Sequence, residues 1–113
     1  MADYVYIENY SKKGKIAISV SVFDALVTNA LNNVSGIAMS SAHLKKNQKF
    51  RLNRPIQTTI RRGIVHVWVA VDVAKGTNLQ DVTRNIQDEI TSAFLMTTEQ
   101  VPFDVQVKVI SII

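Results

Sequence analysis

The clearest pattern in the chain is an alternation of valine with other residues between Ile64 and Val73. Successive side chains of a β-strand point to opposite faces of the sheet, so every second residue shares a face. One face carries Val65, Val67, Val69, Val71 and Val73, and the other carries Ile64, His66, Trp68, Ala70 and Asp72. The pattern predicts a strand with one buried face and one face left largely open.

A helical pattern follows this strand. Gly76 predicts a turn, and Thr77 or Asn78 has the side chain of an N-cap for a helix that begins near Leu79. Apolar residues then recur at helical spacing. The predicted buried side holds Leu79, Val82, Ile86, Ile90, Ala93, Phe94 and Thr97. Pro102 ends the connection, and a final strand alternates through Phe103, Val105, Val107 and Val109.

The first half of the chain predicts another helix, from about Val22 to Val34, after a strand over Lys15 to Ser19. Ser21 and Asp24 stand three residues apart, which is the spacing of a capping box. Gly36 can adopt the left-handed conformation that ends many helices. Both ends of this helix are therefore marked in the sequence.

The remaining segments predict further strands. Ile37 to Leu44 and Ile56 to Ile60 have strand character, and the polar, basic stretch from Leu44 to Arg54 predicts the connection between them. Residues 61–63 end in glycine between two alternating runs, which predicts a tight hairpin. Residues 1–13 are expected to form either an edge strand, over Tyr4 to Tyr10, or a tail.

This order of elements predicts an α+β fold. Two amphipathic helices are too few to cover both faces of a sheet, so we expect two layers: a mixed four- to five-stranded sheet with both helices on the valine face. The 113 residues, of which 47% are hydrophobic, suit a single domain over residues 1–113.

The formal charge of +4 is unevenly distributed. No acidic residue occurs between Asp24 and Asp72, and this interval carries a charge of +7 while the rest carries −3. The basic residues of the interval are Lys45, Lys46, Lys49, Arg51, Arg54, Arg61 and Arg62. The segment predicts either a surface that binds nucleic acid or anionic lipid, or a solvated loop and hairpin. Only Phe50 is interleaved with these residues, whereas RNA readers usually present stacking aromatics.

Residue types that carry catalysis or metal binding are sparse. The chain has no cysteine, which excludes disulfides, thiolate metal sites and cysteine nucleophiles. His43 and His66 lack regularly spaced acidic partners, and the turn at Gly76 lacks the further glycines and the lysine of a phosphate loop. We therefore expect no catalytic residues, no metal site, no cofactor and no enzymatic activity.

No apolar run approaches the roughly 20 residues that span a bilayer, and the first residues lack the pattern of a signal peptide. We therefore expect no transmembrane segment and a cytoplasmic location.

The open sheet face is the predicted interaction surface. It holds His66, Trp68 and Ala70, and alternation in the last strand adds Gln106, Lys108, Ile110 and Ile112. Tryptophan is enriched where interfaces concentrate their binding energy. The alternative is that Tyr4 to Tyr10 folds across this face and buries Trp68 within the monomer.

The chain also resembles a known family. The resemblance is carried by Gly14-Lys-Ile-Ala-Ile-Ser, a helix that ends in Val34-Ser-Gly-Ile, the valine strand, Gly76-Thr-Asn-Leu-Gln-Asp-Val, Ile86-Gln-Asp-Glu-Ile and Val105-Gln-Val-Lys-Val. Across residues 14–112 the sequence is similar to the alkaline shock protein, or envelope stress response, family of Gram-positive bacteria. It departs from the family pattern at Lys75, where an aromatic residue is usual, and after the second helix, where a glycine is usual.

The resemblance implies a non-enzymatic cytoplasmic protein that acts in cell-envelope or alkaline stress through protein partners. In some members of the family a separate membrane-anchoring protein holds the chain at the inner face of the membrane, and members self-associate. The predicted function is thus a protein-interaction or scaffold module. The alternative is a small nucleic-acid-binding domain that uses the basic segment over residues 45–62.

Overall fold

The computed structural model describes residues 4–8, 14–39, 43–97 and 101–113. The elements are β1 (Tyr4–Glu8), β2 (Lys15–Ser19), α1 (Val20–Asn32), β3 (Ile37–Ala38), β4 (Phe50–Leu52), β5 (Gln57–Arg61), β6 (Ile64–Val73), α2 (Leu79–Thr97) and β7 (Phe103–Ile112). They form the predicted α+β fold, with one five-stranded mixed sheet and one two-stranded sheet. Within the described ranges, neither helix has the length and apolar character needed to cross a bilayer.

β6 is the central strand of the larger sheet. β7 pairs with one of its edges in parallel. β4 and β5 share the other edge, both antiparallel, with β4 along residues 71–73 and β5 along residues 64–68. β3 extends the sheet by pairing with β4. Parallel neighbours need a long crossover connection, and α2 supplies it between β6 and β7.

The alternation predicted for β6 is confirmed. Its five valines are each at most 1% exposed. They share one hydrophobic cluster with side chains of both helices, and the helical members that are buried are Phe23, Val27, Ala30, Leu31, Val82, Ile86, Ile90 and Phe94. Phe23 of α1 and Phe94 of α2 stack with their ring centroids 5.5 Å apart. Both helices therefore pack on the valine face.

The sequence pattern predicted that β2 belongs to the same sheet as the other strands. In the structure it lies outside the larger sheet. It pairs with β1 as a separate antiparallel hairpin, so residues 4–8 form a strand and no tail. Val5 at the base of the hairpin joins the core, whereas Tyr6 and Ile16 are 67% and 50% exposed. The radius of gyration is 15.6 Å, against about 13 Å for a compact domain of this length. The hairpin therefore projects from the rest of the domain.

The start of α1 corrects the predicted cap. The N-cap is Ser19, because β2 runs directly into the helix, and Ser21 lies in the first turn. The hydroxyl oxygens of Ser19 and Ser21 are 2.9 Å apart, and the N-cap side chain makes no capping hydrogen bond. No capping box between Ser21 and Asp24 forms. Gly36 after the helix does adopt the predicted left-handed conformation, with φ 78°.

The predicted cap of α2 is confirmed at Asn78. Its Oδ1 accepts hydrogen bonds from the backbone N–H groups of Gln80, at 2.9 Å, and Asp81, at 3.3 Å. Two residues predicted to be buried are exposed: Leu79 in the first turn and Thr97 at the last position. Periodicity alone does not reveal where along a helix its covered face begins and ends.

The hairpin between β5 and β6 is as tight as predicted. Arg62 and Gly63 form a two-residue turn with φ values of 54° and 74°. Positive φ at both positions matches the right-handed twist of the paired strands. Glycine adopts this conformation at little cost, whereas Arg62 is the only described residue other than glycine that has a positive φ.

The segment between Ile37 and Arg54 differs most from its prediction. The strand predicted over Ile37 to Leu44 is only two residues long, and residues 40–42 lie outside the described part of the chain. The predicted polar connection contains β4, in which Phe50 and Leu52 are buried. A three-residue strand flanked by basic residues is too short to give a clear alternation.

The buried face of β6 gives a direct test of the architecture. Val69→Asp should cost more than about 4 kcal/mol of unfolding free energy, because it desolvates a charge with no partner. The control is Gln57→Asp, on the exposed face of β5, which should change the unfolding free energy by less than about 0.5 kcal/mol. Urea unfolding of both variants provides the measurement. Wild-type stability for Val69→Asp would contradict the assignment of the buried face.

Candidate interaction face

The open face of the sheet is ordered in rows by strand register. Gln57, Trp68 and Gln106 lie side by side on β5, β6 and β7, and Thr59, His66 and Asp104 form the next row. Ala70 and Lys108 are likewise neighbours. Of the predicted interaction residues, His66, Trp68, Ala70 and Lys108 therefore come together on one surface.

Trp68 is the most exposed apolar group of this surface. Its side chain is 45% exposed. A groove of about 510 Å³ runs beside it from Arg54 and Pro55 to Gln106 and Lys108. A second depression of about 320 Å³ lies on its other side, bordered by Gln57, Thr59 and Arg61. The indole thus stands between two concave areas with polar rims.

The alternative in which residues 4–10 bury Trp68 does not occur in the described structure. β1 pairs with β2 and contributes Val5 to the core on the helix side. Trp68 keeps almost half of its surface exposed. Residues 9 and 10 of that predicted segment lie outside the described part of the chain.

His66 and Asp104 are joined across the parallel strands β6 and β7. His66 Nδ1 lies 2.7 Å from Asp104 Oδ2. Asp104 is half-exposed and sits on β7. The contact fixes the imidazole ring against the sheet at one end of the open face, beside Trp68.

A buried carboxylate lies at the other end of the same face. Asp72 is 3% exposed and is the only buried charged residue in the described ranges. Its Oδ1 accepts hydrogen bonds from Ser111 Oγ at 2.7 Å and Asn53 Nδ2 at 2.8 Å. Its Oδ2 accepts hydrogen bonds from Asn53 Nδ2 at 3.0 Å and Arg51 Nε at 3.1 Å. These contacts satisfy both carboxylate oxygens, as a buried charge requires.

The same contacts lower the pKa of Asp72 below its usual value. The hydrogen bond from Ser111 is the largest cause, and burial opposes it by favouring the neutral acid. Hydrogen bonds from Asn53 and Arg51 and the positive charge of Arg51 add to the lowering. Asp72 lies on β6 and is therefore a structural anion. Its hydrogen bonds join β6 to β4, to Asn53 immediately after β4, and to β7.

A β-bulge in β7 places Ser111 where its hydroxyl can donate a hydrogen bond to Asp72. Val109 lies opposite Val71, but Ser111 lies opposite Asp72, so Ile110 is an extra residue without a partner in the register. The shift also places Ile112 opposite Val73, on the valine face. The predicted placement of Ile112 on the open face is thus wrong, and simple alternation does not extend to Ile110. A bulge re-aims the side chains that follow it.

The predicted polyanion segment is divided by the fold. Lys45, Lys46 and Lys49 are exposed before β4, whose first residue lies opposite the end of β6. Arg61 and Arg62 lie at the hairpin that starts β6. The two groups are therefore separated by nearly the length of a ten-residue strand, about 30 Å.

The other members of the basic segment have different surroundings. Arg51 forms an ion pair with Asp72. Arg54 is exposed and borders the groove beside Trp68. Phe50 is 1% exposed, so its ring has no face available for stacking on a base. The structure brings no continuous basic surface together from these residues.

Within the described ranges, no three side chains of His, Cys, Asp or Glu are arranged to hold a metal ion. Comparison of the chain with protein-family models, with curated proteins and with solved structures found no match. The resemblance over residues 14–112 to the alkaline shock protein family remains a prediction from the sequence.

The Asp72 network predicts a pH-dependent stability. Asp72→Asn should lower the unfolding free energy by about 2–3 kcal/mol at neutral pH, because it removes charge-assisted hydrogen bonds. Because the pKa of Asp72 is lower in the folded state than in the unfolded state, its contribution to stability is fully present above the unfolded-state pKa, about 3.9. The contribution is lost as the pH falls through the folded-state pKa. The difference between wild type and variant should therefore shrink below about pH 4.

Urea unfolding from neutral pH to pH 3 measures this difference. Asp88→Asn, which removes an exposed carboxylate of α2, is the control and should cost less than about 0.5 kcal/mol. A difference between wild type and Asp72→Asn that stays constant across the whole pH range would contradict the assigned role of the carboxylate.

Proposed function

We propose that this protein is a non-enzymatic protein-interaction module and that the open face around Trp68 is its contact surface. The observation that carries the proposal is the exposure of Trp68, 45%, between two concave areas of the sheet. The exposed part of the indole amounts to an area on the order of 100 Å². Covering it with a partner contributes about 2.5 kcal/mol at 25 cal/mol per Å².

The rim of the surface indicates the chemistry of the partner. The groove beside Trp68 is bordered by Gln57 and Gln106 and by the cations Arg54 and Lys108. Amides donate and accept hydrogen bonds, whereas the two cations favour acidic groups. A suitable partner therefore presents an apolar anchor for the indole and acidic residues around it. This arrangement of an apolar centre and a polar rim is usual for protein interfaces.

The resemblance to the alkaline shock protein family supports the same class of function. It adds a proposed context, in which the chain works in the cytoplasm in an envelope stress response and reaches the inner face of the membrane through an anchoring partner. The nucleic-acid alternative has less support. Lys45, Lys46 and Lys49 lie near one end of β6, and Arg61 and Arg62 lie at the other. Arg51 is paired with Asp72, and Phe50 is buried.

Replacing the indole tests the proposal. Trp68→Ser should leave the domain folded, because the side chain lies outside the core cluster, and should weaken self-association or capture of a partner by about tenfold or more. The matched control is Met96→Ser, which removes an apolar side chain of α2 that is 88% exposed. The control should change neither property.

Thermal unfolding, analytical ultracentrifugation and partner capture from the native cell are measured on all three proteins. The proposed surface is wrong if Trp68→Ser is folded and both its assembly and its partner capture equal those of the wild type. It is also wrong if Trp68→Ser unfolds, since the indole would then belong to the core of the monomer.

A further inference from the structure

β7 is a long strand with an unpaired edge. It runs for ten residues, from Phe103 to Ile112, and pairs only with β6 among the described strands. An unpaired strand presents a row of N–H and C=O groups that can bind another strand. The β1–β2 hairpin forms its own sheet and does not pair with this edge.

The register shows which groups point outward. Pro102 donates no N–H, but its C=O accepts a hydrogen bond from Val65 N–H, at 3.0 Å, so the backbone of residue 102 points toward β6. Successive residues of a strand point their backbone groups to opposite sides, so Asp104, Gln106 and Lys108 also face β6. The outer edge therefore presents the N–H and C=O groups of Phe103, Val105, Val107 and Val109. In agreement, Gln87 Nε2 on α2 donates a hydrogen bond of 3.3 Å to the C=O of Val105, which points away from β6.

The sequence of this edge is complementary to itself in antiparallel orientation. If two copies of β7 meet with Gln106 opposite Gln106, then Val105 faces Val107 and Phe103 faces Val109. Both of these pairs use outward-pointing backbone groups, so each pair can exchange two hydrogen bonds. In the same register Asp104 faces Lys108 of the other copy, and this pair occurs twice because of the two-fold symmetry.

We propose that β7 is a homodimerisation edge, on which the β7 of a second copy of this chain pairs in antiparallel register about Gln106. Both copies then share one continuous sheet with their helices on the same side. The charge pairing selects this register, since directly opposite residues of opposite charge stabilise a strand pair and like charges destabilise it. The proposal stands on the strand edge and does not depend on the function proposed for Trp68, although Gln106 and Lys108 belong to both surfaces.

The local surroundings of the edge are consistent with this occupant. Gln87 is exposed on α2, and its amide contacts the edge at a single carbonyl. It can rotate away without loss of a buried contact. The bulge at Ile110 lies beyond the last proposed hydrogen-bonded pair, so residues 103–109 form a regular stretch. Asp104 contacts His66 through Oδ2, and its second oxygen is available to the lysine of the other copy.

Charge reversal tests the register. Lys108→Asp places Asp104 opposite an aspartate, and Asp104→Lys places a lysine opposite Lys108, so each variant alone should lose at least tenfold in dimer affinity. Mixing the two variants restores both opposite-charge pairs, and we expect a one-to-one heterodimer. Sedimentation velocity at low salt gives the masses, and thermal unfolding confirms that each variant is folded.

A cysteine at the two-fold axis provides a second test that does not depend on charge. The chain has no cysteine, and residues in a non-hydrogen-bonded antiparallel pair have Cα atoms about 4.5 Å apart, within the range that a disulfide spans. Gln106→Cys should therefore form a covalent dimer on mild oxidation. Gln57→Cys is the matched control, because Gln57 flanks Trp68 on the opposite side and should remain largely monomeric.

The proposal is overturned if the wild type stays monomeric up to its solubility limit, or if Gln106→Cys forms no more covalent dimer than Gln57→Cys. It is also overturned if neither charge reversal alters assembly. Self-association that is lost only in Trp68→Ser would assign the dimer to the open face and exclude the edge. Loss of dimer in the charge-reversal variants with unchanged dimer in Trp68→Ser would support the edge alone.

Discussion

The pairing of β6 on both edges is the constraint on which the remaining structure depends. β7 occupies one edge, and β4 and β5 together occupy the other. Because the valines of β6 face the helices, the register also decides which residues of its three neighbours are buried. A shift of one residue would expose the valines and bury His66 and Trp68. The burial of one strand face therefore determines the exposure of the opposite face.

Asp72 interrupts this regular pattern with a charge. Burying an isolated carboxylate is costly, and here four hydrogen bonds from Arg51, Asn53 and Ser111 offset the cost. These donors come from separate parts of the sheet, so the carboxylate is satisfied only when β4, β6 and β7 are correctly assembled. The network therefore favours one register of β7, including its bulge, over slipped alternatives. The network also pairs Arg51 with Asp72, whereas the charge pattern alone assigned Arg51 to a polyanion-binding surface.

The sequence predicted those features that depend on local pattern. The bounds of β6, the cap at Asn78, the turn at Arg62 and Gly63 and the helix-covered valine face all follow from periodicity and turn chemistry. The failures concern pairing between distant segments. The bulge opposite Asp72, the strand around Phe50 and the separate β1–β2 hairpin depend on which strand lies beside which. The positions of the basic residues at the two ends of β6 follow from the same long-range pairing.

The open face and the free edge of β7 differ in how they can select a partner. An exposed strand edge offers backbone groups that bind almost any extended chain, so its specificity must come from side chains. Asp104 and Lys108 supply this, because they match each other only in one antiparallel register. The face around Trp68 offers shape and a polar rim, which discriminate among folded surfaces. Since Gln106 lies beside Trp68, a dimer formed through β7 would bring two copies of that face into one continuous surface. Each copy would then contribute an indole to the same side of the shared sheet, and a partner with two anchors would bind more tightly than a partner with one.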